Sequence, residues 1–351
     1  MQSYFNKNIL RLLISSFTLL VMLNSCGSGT KAPDVSHIPM TVKAERFDQD
    51  FFNIDTNNVA GGLKLLADKH PRFMPFYFQH ILNFGPIGDT TVDMELVQHA
   101  LRAFLTNPDF KGLQDSINVH FKSLDKTEEA LAQAFRYTKY YIPSFHPPKV
   151  KTFMSAIGNY GALTVDSTVA IGLDMYLGKD FPVYAMLSQE LPSYLVRTFE
   201  PEYIPVNVMK VIEQDLFPRP AEGRKLIEQM VDAGRQQYFL SKVLPDTGDT
   251  LRIGYTQAQL DWCNANEELV WQFFVQQNLL YSSDWQQLMH FMGEGPSTQG
   301  MPPGSPGKIG AYVGSRIVQR YMEKHPEVTL AQLMENKDAV QIFNESKYRP
   351  K

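Results

Sequence analysis

The sequence predicts an α+β fold, predominantly α-helical, with many helices around a small antiparallel sheet. Three observations predict it. Most of the chain beyond residue 44 is a succession of stretches with apolar residues three and four apart, the period of a helix with one buried face. Residues 149–178 break that rhythm with β-branched residues, glycines and partial alternation, the pattern of strands. No Pro- and Gly-rich linker splits the remainder, so residues 44–351 read as one globular domain.

The elements follow in order. Residues 44–54, "AERFDQDFFNI", open the folded part. "NVAGGLKLLADKH" is a helix that ends at Pro71, and "FMPFYFQHIL" is one that ends near Gly85. "TTVDMELVQHALRAFL" carries Thr as its N-cap and acidic residues in its first turns. "DFKGLQDSINVHF" and "KTEEALAQAFRYTKYYI" continue the helical half until Pro143, Pro147 and Pro148 stop it. The sheet region reads as a strand, "KVKTFMSAIG", then two strands in "ALTVDSTVAIGLDMYLG" joined at Asp166-Ser167. Helices then return in "VYAMLSQELPSYLVRTF", "IPVNVMKVIEQDLF", "GRKLIEQMVDAGRQQYFLSKVL", "TQAQLDWCNANEELVWQFFVQQNLL", "SDWQQLMHFM", "KIGAYVGSRIVQRYMEKH" and "TLAQLMENK". Between the last long helices, residues 293–307 hold five Gly and four Pro in fifteen positions. A loop of that length in a compact domain is usually functional or mobile.

The N-terminus has a different logic. Lys7 and Arg11 precede about a dozen mostly apolar residues, Leu12–Leu23, fewer than the roughly 20 that a transmembrane helix needs. A short basic region before a short apolar run is a secretory signal. "LNSC" places Leu at −3 and Ser at −1 before Cys26. That order resembles the bacterial lipobox, in which the chain is cut before the Cys and the Cys is acylated. The other reading is an ordinary signal peptide that contains a Cys. The expected organisation is a signal peptide over 1–25, a flexible tether over 26–43, "GSGTKAPDVS" being rich in small residues and Pro, and the domain beyond it. More than one acyl chain at Cys26 would make anchoring to the membrane effectively permanent. No Asp directly follows Cys26 and no acidic cluster follows it, and the resemblance to bacterial lipoproteins then implies the periplasmic face of the outer membrane.

Removing the signal leaves 31 basic against 37 acidic residues, a net charge of −6. With no basic patch, nucleic acid is not an expected partner. Cys263 is the other cysteine of two, so an acylated Cys26 rules out an intramolecular disulfide. Cys263 sits in a helical stretch and reads as a buried small hydrophobe, with a catalytic thiol as the alternative.

No catalytic motif stands out. The eight His residues have no pair at ligand spacing, and none lies between 147 and 289. The nearest approach to HExxH is Ile212-Glu213-Gln214-Asp215-Leu216, which keeps the Glu and has apolar residues at both imidazole positions. Taken without that comparison, Ile212 and Leu216 are one apolar helix face. No GxSxG elbow and no P-loop order appear. Gly307, Gly310 and Gly314 read as small residues on one helix face that allow close packing. "PDTGDT" reads as a polar turn, and the Glu267-Glu268 pair as a solvated helix face.

The order of "RFDQDFF", "GLDMYLGKDFPVY", "YIPVNVMKVIEQDLFP", "NEELVWQFFVQQNLLYSSD", "PGSPGKIGAYVGSRIVQRYM" and "NESKYRPK" resembles the gliding-motility-associated lipoprotein B family, GldB, over nearly the whole mature chain. The family is implied to act in the gliding of bacteria over surfaces. It also looks like a distant relative of predicted zinc peptidases, which implies a zincin-like fold with no intact metal site. Carried over, "IEQDL" falls at the HExxH position, Asp232 falls near a further acidic ligand, and "IGAYVGSRIV" matches a glycine-rich helix. The candidate vestigial groove is therefore Glu213, Asp232, Gly310, Tyr312 and Gly314, with no catalytic residue, metal or cofactor expected.

Two functions follow as expectations. One is a non-enzymatic outer-membrane component of the gliding or envelope machinery that binds envelope or motility proteins. The other is an unconventional envelope hydrolase or peptidase using Glu213 and Asp232. A small-molecule-binding lipoprotein is a third reading, to be raised by a deep apolar pocket.

Overall fold

The structure is a computed structural model that describes residues 32–85, 93–158, 160–220 and 223–350. Cys26 and the signal peptide lie outside the described residues. Among the described residues no helix is long and apolar enough to cross a membrane. Residues from Val35 to Lys351 form one compact unit.

Packing starts before the expected boundary at residue 44. Val35 and Val42 are buried, and the Arg136 guanidinium donates to the carbonyls of Ile38 (3.3 Å) and Met40 (3.0 Å). These bonds tie a half-exposed segment with no regular structure to the rest of the domain. The tether therefore covers at most the residues before Val35.

Strand β1 (Ala44–Arg46) runs directly into helix α1 (Phe47–Phe52). Phe47 and Phe51 are completely buried one turn apart. They meet α2 (Val59–Lys69), capped by Asn58, and α3 (Phe73–Phe76), which continues as a π-helical turn over Tyr77–Ile81. Phe47, Phe73, Tyr77 and Phe153 form edge-on and tilted ring contacts at 4.8–6.1 Å, an aromatic core that locks the first helices onto the sheet. Helix α4 (Met94–Thr106) is capped by Asp93, which accepts from the Glu95 and Leu96 N–H groups. The Thr residues expected to cap it lie outside the described residues. Helices α5 (Pro108–His120) and α6 (Asp125–Tyr141) complete this half as expected.

The sheet is mixed, which corrects the all-antiparallel expectation. Strands β2 (Lys149–Phe153), β3 (Ala162–Val165) and β4 (Thr168–Gly172) join β1 in the order β1-β2-β4-β3. Only β3 and β4 are antiparallel, joined at Asp166-Ser167 with Asp166 at a φ of 51°. Strand β2 is parallel to both β1 and β4. The reason is spatial. The segment from β2 to β3 crosses over before the hairpin, so β2 pairs with the far strand of the hairpin and not with the near one. The buried runs of β2 and β4, which alternate little, fit strands covered on both faces.

Beyond the sheet, "VYAMLSQELPSYLVRTF" is not one helix. It forms α7 (Pro182–Met186) and α8 (Ser193–Val196), separated by turns after Leu187, with Pro192 standing directly before the second helix. Helices α9 (Ile204–Leu216) and α10 (Leu226–Val243) follow as expected. "PDTGDT" leads into a short helix, α11 (Asp249–Ile253). The next long stretch breaks at Asn266 into α12 (Gln257–Ala265) and α13 (Glu267–Gln276). Helices α14 (Trp285–Met292), α15 (Ile309–Lys324), α16 (Leu330–Glu335) and α17 (Ala339–Ser346) complete the chain. Helix α9 packs on β3 and β4, α10 packs on α9, and α15 lies along α10.

The loop over 293–307 is tied into the molecule. Thr298 donates its hydroxyl to the Pro306 carbonyl at 2.6 Å, Tyr255 donates to the Gly307 carbonyl at 3.0 Å, and Glu294 pairs with Lys308 at 2.8 Å.

Candidate site: an arginine–carboxylate network

Glu213 lies in the last turns of α9, facing α10, with a fully buried side chain. Placing a carboxylate there is unfavourable unless it is paired. The pairing comes from the next segment, "FPRP". Pro218 and Pro220 flank Arg219 and restrict the backbone on both sides of it. Both terminal nitrogens of Arg219 donate to the two oxygens of Glu213, a fork-to-fork contact, and Gln236 of α10 donates to the same carboxylate at 3.0 Å.

Asp232, two turns into α10, is held by three arginines. Arg224 approaches its carboxylate at 2.8 Å, Arg235 donates to it from one turn on, and Arg219 Nε lies 3.7 Å away. Arg219 thus sits between Glu213 and Asp232. The sequence expectation brings those two residues together correctly. It misses what lies between them, because Arg219, Arg224 and Arg235 carry no motif. Their only sequence signal is the i,i+3 spacing of Asp232 and Arg235 on one helix face.

The other three groove residues are elsewhere. Gly314 is where α15 crosses α10. A Cβ at this position would collide with the Met230 carbonyl oxygen, and one at Gly234 would collide with the Gly314 carbonyl oxygen. Gly310 lies against Met292 and Phe291 of α14. Both glycines therefore serve close helix packing, the plain reading of their spacing. Tyr312 points to a different set of groups. Its hydroxyl donates to Asn264 at 3.0 Å and lies 3.3 Å from Glu267. Glu267 also accepts from Arg316 Nε at 3.0 Å and from the Tyr348 hydroxyl at 2.9 Å. The expected solvated face at Glu267 is in fact a mostly buried hub that ties α13, α15 and the C-terminal residues together. Burial and the adjacent Glu267 carboxylate push the Tyr312 and Tyr348 hydroxyls well above the ordinary tyrosine range.

Other chemistry can be placed in the same way. Cys263 is completely buried, and burial pushes its thiol up to about 12, which keeps it neutral and unreactive. Among the described residues no three His, Cys, Asp or Glu side chains converge as a metal site. His70 is buried between Asp50, at 2.8 Å from Nε2, and Lys151, whose ammonium donates to Nδ1 at 2.9 Å, so the ring is a neutral bridge and not a ligand.

Two clefts border these networks. One, of about 330 Å³, is lined by Tyr312, Asn264, Arg316 and Arg252. The other, of about 770 Å³, is lined by Arg219, Arg224, Arg235 and Glu228 together with the apolar Leu216, Phe217 and Met334. Its size falls within the range of small-molecule sites.

The fold and the site together define a class: a helix-dominated α+β domain in which Glu213 and Asp232, brought together by α9 and α10, are both paired with arginine. The chain belongs to the family described as gliding motility protein GldB, whose model matches residues 28–350. It is thus a member of a gliding-motility lipoprotein family. No curated protein and no solved structure matches it.

Proposed function

We propose that the protein is a non-enzymatic, outer-membrane lipoprotein component of the gliding-motility or cell-envelope machinery. It is anchored through Cys26 on the periplasmic face and acts by binding envelope or motility proteins. The observation that carries this reading is the state of Glu213 and Asp232. A general base must be free to take a proton from substrate or water. Here both carboxylates are committed to Arg219, Arg224 and Arg235. The alternative, a hydrolase working through these two groups, would first have to break a buried ion network. Family membership supports the motility context.

The test uses a surface-gliding bacterium in which this chain replaces the host's own family member. The double substitution Glu213→Gln and Asp232→Asn preserves shape and removes any acid–base capacity. Gliding is expected to persist at normal protein abundance, with a lowered melting temperature. Loss of gliding at normal abundance with the protein still folded would count decisively against the proposal. Glu213→Ala is the contrasting variant. It removes the fork partner of the mostly buried Arg219 and leaves it only the longer contact to Asp232, with an expected loss of about 2–3 kcal/mol in stability, read by denaturant titration.

A further inference from the structure

We infer that the smaller cleft, between α10, α11, α12 and α15, is a binding site for a short, neutral saccharide. The inference goes beyond the proposed function and does not depend on it.

The first observation is that the charges of this cleft are closed among themselves. Asp249, Arg252 and Arg316 are the charged residues of its lining. Arg252 pairs with Asp249 and also donates to the Leu244 and Thr247 carbonyls. Arg316 gives its Nε to both oxygens of Glu267 at 3.0 Å and its Nη1 to Gln319 at 3.2 Å. An ionic ligand would shed its hydration here and find no unmatched ion in return. The cleft therefore suits an uncharged ligand.

The second observation is spare neutral capacity. The Asn264 amide oxygen accepts from the Tyr312 hydroxyl, while its amide nitrogen makes no hydrogen bond among the described residues. Gln237 donates to the Arg252 carbonyl at 3.3 Å, and its amide oxygen accepts no hydrogen bond among the described residues. Asn264 is exposed, and the Gln237 oxygen is not a buried atom. Ser241 and Ser315 donate to carbonyls of their own helices at 2.7 Å and keep acceptor capacity. A sugar hydroxyl donates and accepts at once, so neighbouring hydroxyls match a mixed set of this kind. Tyr238, Ile253 and Leu260 add carbon surface to the lining for the C–H faces of a ring. A peptide also offers neutral donors and acceptors, but it is best received by an exposed strand edge, and helices alone build this cleft.

The third observation is a fixed floor with room to continue. The Glu267 hub holds both Tyr312 and Arg316, so these groups lose little freedom when a ligand arrives. The cleft of about 330 Å³ lies at the small end of ligand sites. A further cleft of about 270 Å³ shares Arg316 and Gln319 with it. Tyr312, Ser315, Arg316, Gln319 and Glu323 follow one another at helical spacing along one face of α15, a run of about 16 Å. That length suits a chain of rings. The further cleft is the more charged of the two and ends at Lys347 and Arg349, so the neutral rings belong in the first.

The test is calorimetric titration of the full-length chain, in an uncharged detergent that contains no sugar, with maltotriose, triacetylchitotriose and trialanine amide. At least one of the two saccharides is expected to bind with a Kd of about 1 mM or tighter, and trialanine amide at least about tenfold more weakly. Affinity is expected to stay the same as salt is raised, since no ion pair forms on binding. The double substitution Gln237→Ala and Asn264→Ala is expected to weaken binding at least about tenfold, with an unchanged circular dichroism spectrum. Lys337→Ala, beside the other large cleft, is expected to leave affinity as it is. Four results overturn the inference: neither saccharide binding more tightly than about 10 mM, trialanine amide binding as well as the saccharides, affinity falling steeply with salt, or full affinity in the double variant.

Discussion

At the scale of single residues, Lys210 shows how burial sets chemistry. It lies on α9, and no carboxylate pairs with it at bonding distance among the described residues. Burial, together with the Lys308 charge, lowers its ammonium to about 7, and Glu294 offsets this only in part. The unfolded chain holds that proton up to about 10.5. Between those values the unfolded state binds more protons, so stability rises with pH across the window. Lys210→Met is therefore expected to melt higher than the native chain at pH 7 and to lose most of that advantage at pH 10. A difference independent of pH would show that the ammonium is not held in its shifted state. His70 acts at the acid end. Burial lowers its pKa and the Asp50 bond raises it less, so the neutral ring contributes stability that is lost as pH falls below the ordinary histidine range. Lys210 is no more conspicuous in the sequence than any other lysine. Its neighbours Glu294 and Lys308 lie far along the chain, which is why its shift is not legible there.

Whole elements were more legible. The 3.6-residue pattern located α2, α5, α6, α9 and α15 to within a residue or two, and α10 to within three, because each has an apolar face. It failed where punctuation is weak. Asn266 ends α12 without Gly or Pro to mark it, and β1 is three residues long, too short for alternation to register. The hairpin at Asp166-Ser167 was legible from its turn, whereas the parallel partners of β2 depend on a crossover that no local pattern encodes. The crossing of α10 and α15 offers a sharp test. Gly314→Ala would drive a methyl group into the Met230 carbonyl, and the overpacking is expected to cost about 3 kcal/mol or more. Gly112, mid-helix in α5, faces open space, with nothing within 4 Å of where a Cβ would stand. Gly112→Ala should instead stabilise by about 0.5–1 kcal/mol. Comparing the two in denaturant titrations separates glycine used for packing from glycine merely tolerated.

For the whole molecule, one sequence word governs placement. The family match gives the lipoprotein context, and the lipobox gives the expected attachment point at Cys26. Cys26→Ala should shift the chain out of the membrane fraction on a sucrose gradient without changing its fold by circular dichroism. An unchanged membrane profile would show that another surface holds it there. The candidate site was half legible at this scale. Family-wide order of segments brought Glu213 and Asp232 to the same place, since α9 and α10 pack side by side. Tyr312 and the two α15 glycines were drawn into that groove by adjacency in sequence, and the helix turns Tyr312 towards Glu267.

The clasp of Arg136 on the carbonyls of Ile38 and Met40 has a mechanical meaning. In the proposed anchored state, a pull arriving from the residues before Val35 would reach this clasp before it reached the edge strand β1. Lys43 and the Ala44 N–H add a second fastening, both on Glu128 of the same helix, α6. Load is thus passed to a seventeen-residue helix in the middle of the chain, and β1 is spared from being peeled off β2 one bond at a time. Arg136→Ala should lower the force at which the N-terminal segment yields in a single-molecule pulling experiment, with little change in the unloaded melting temperature.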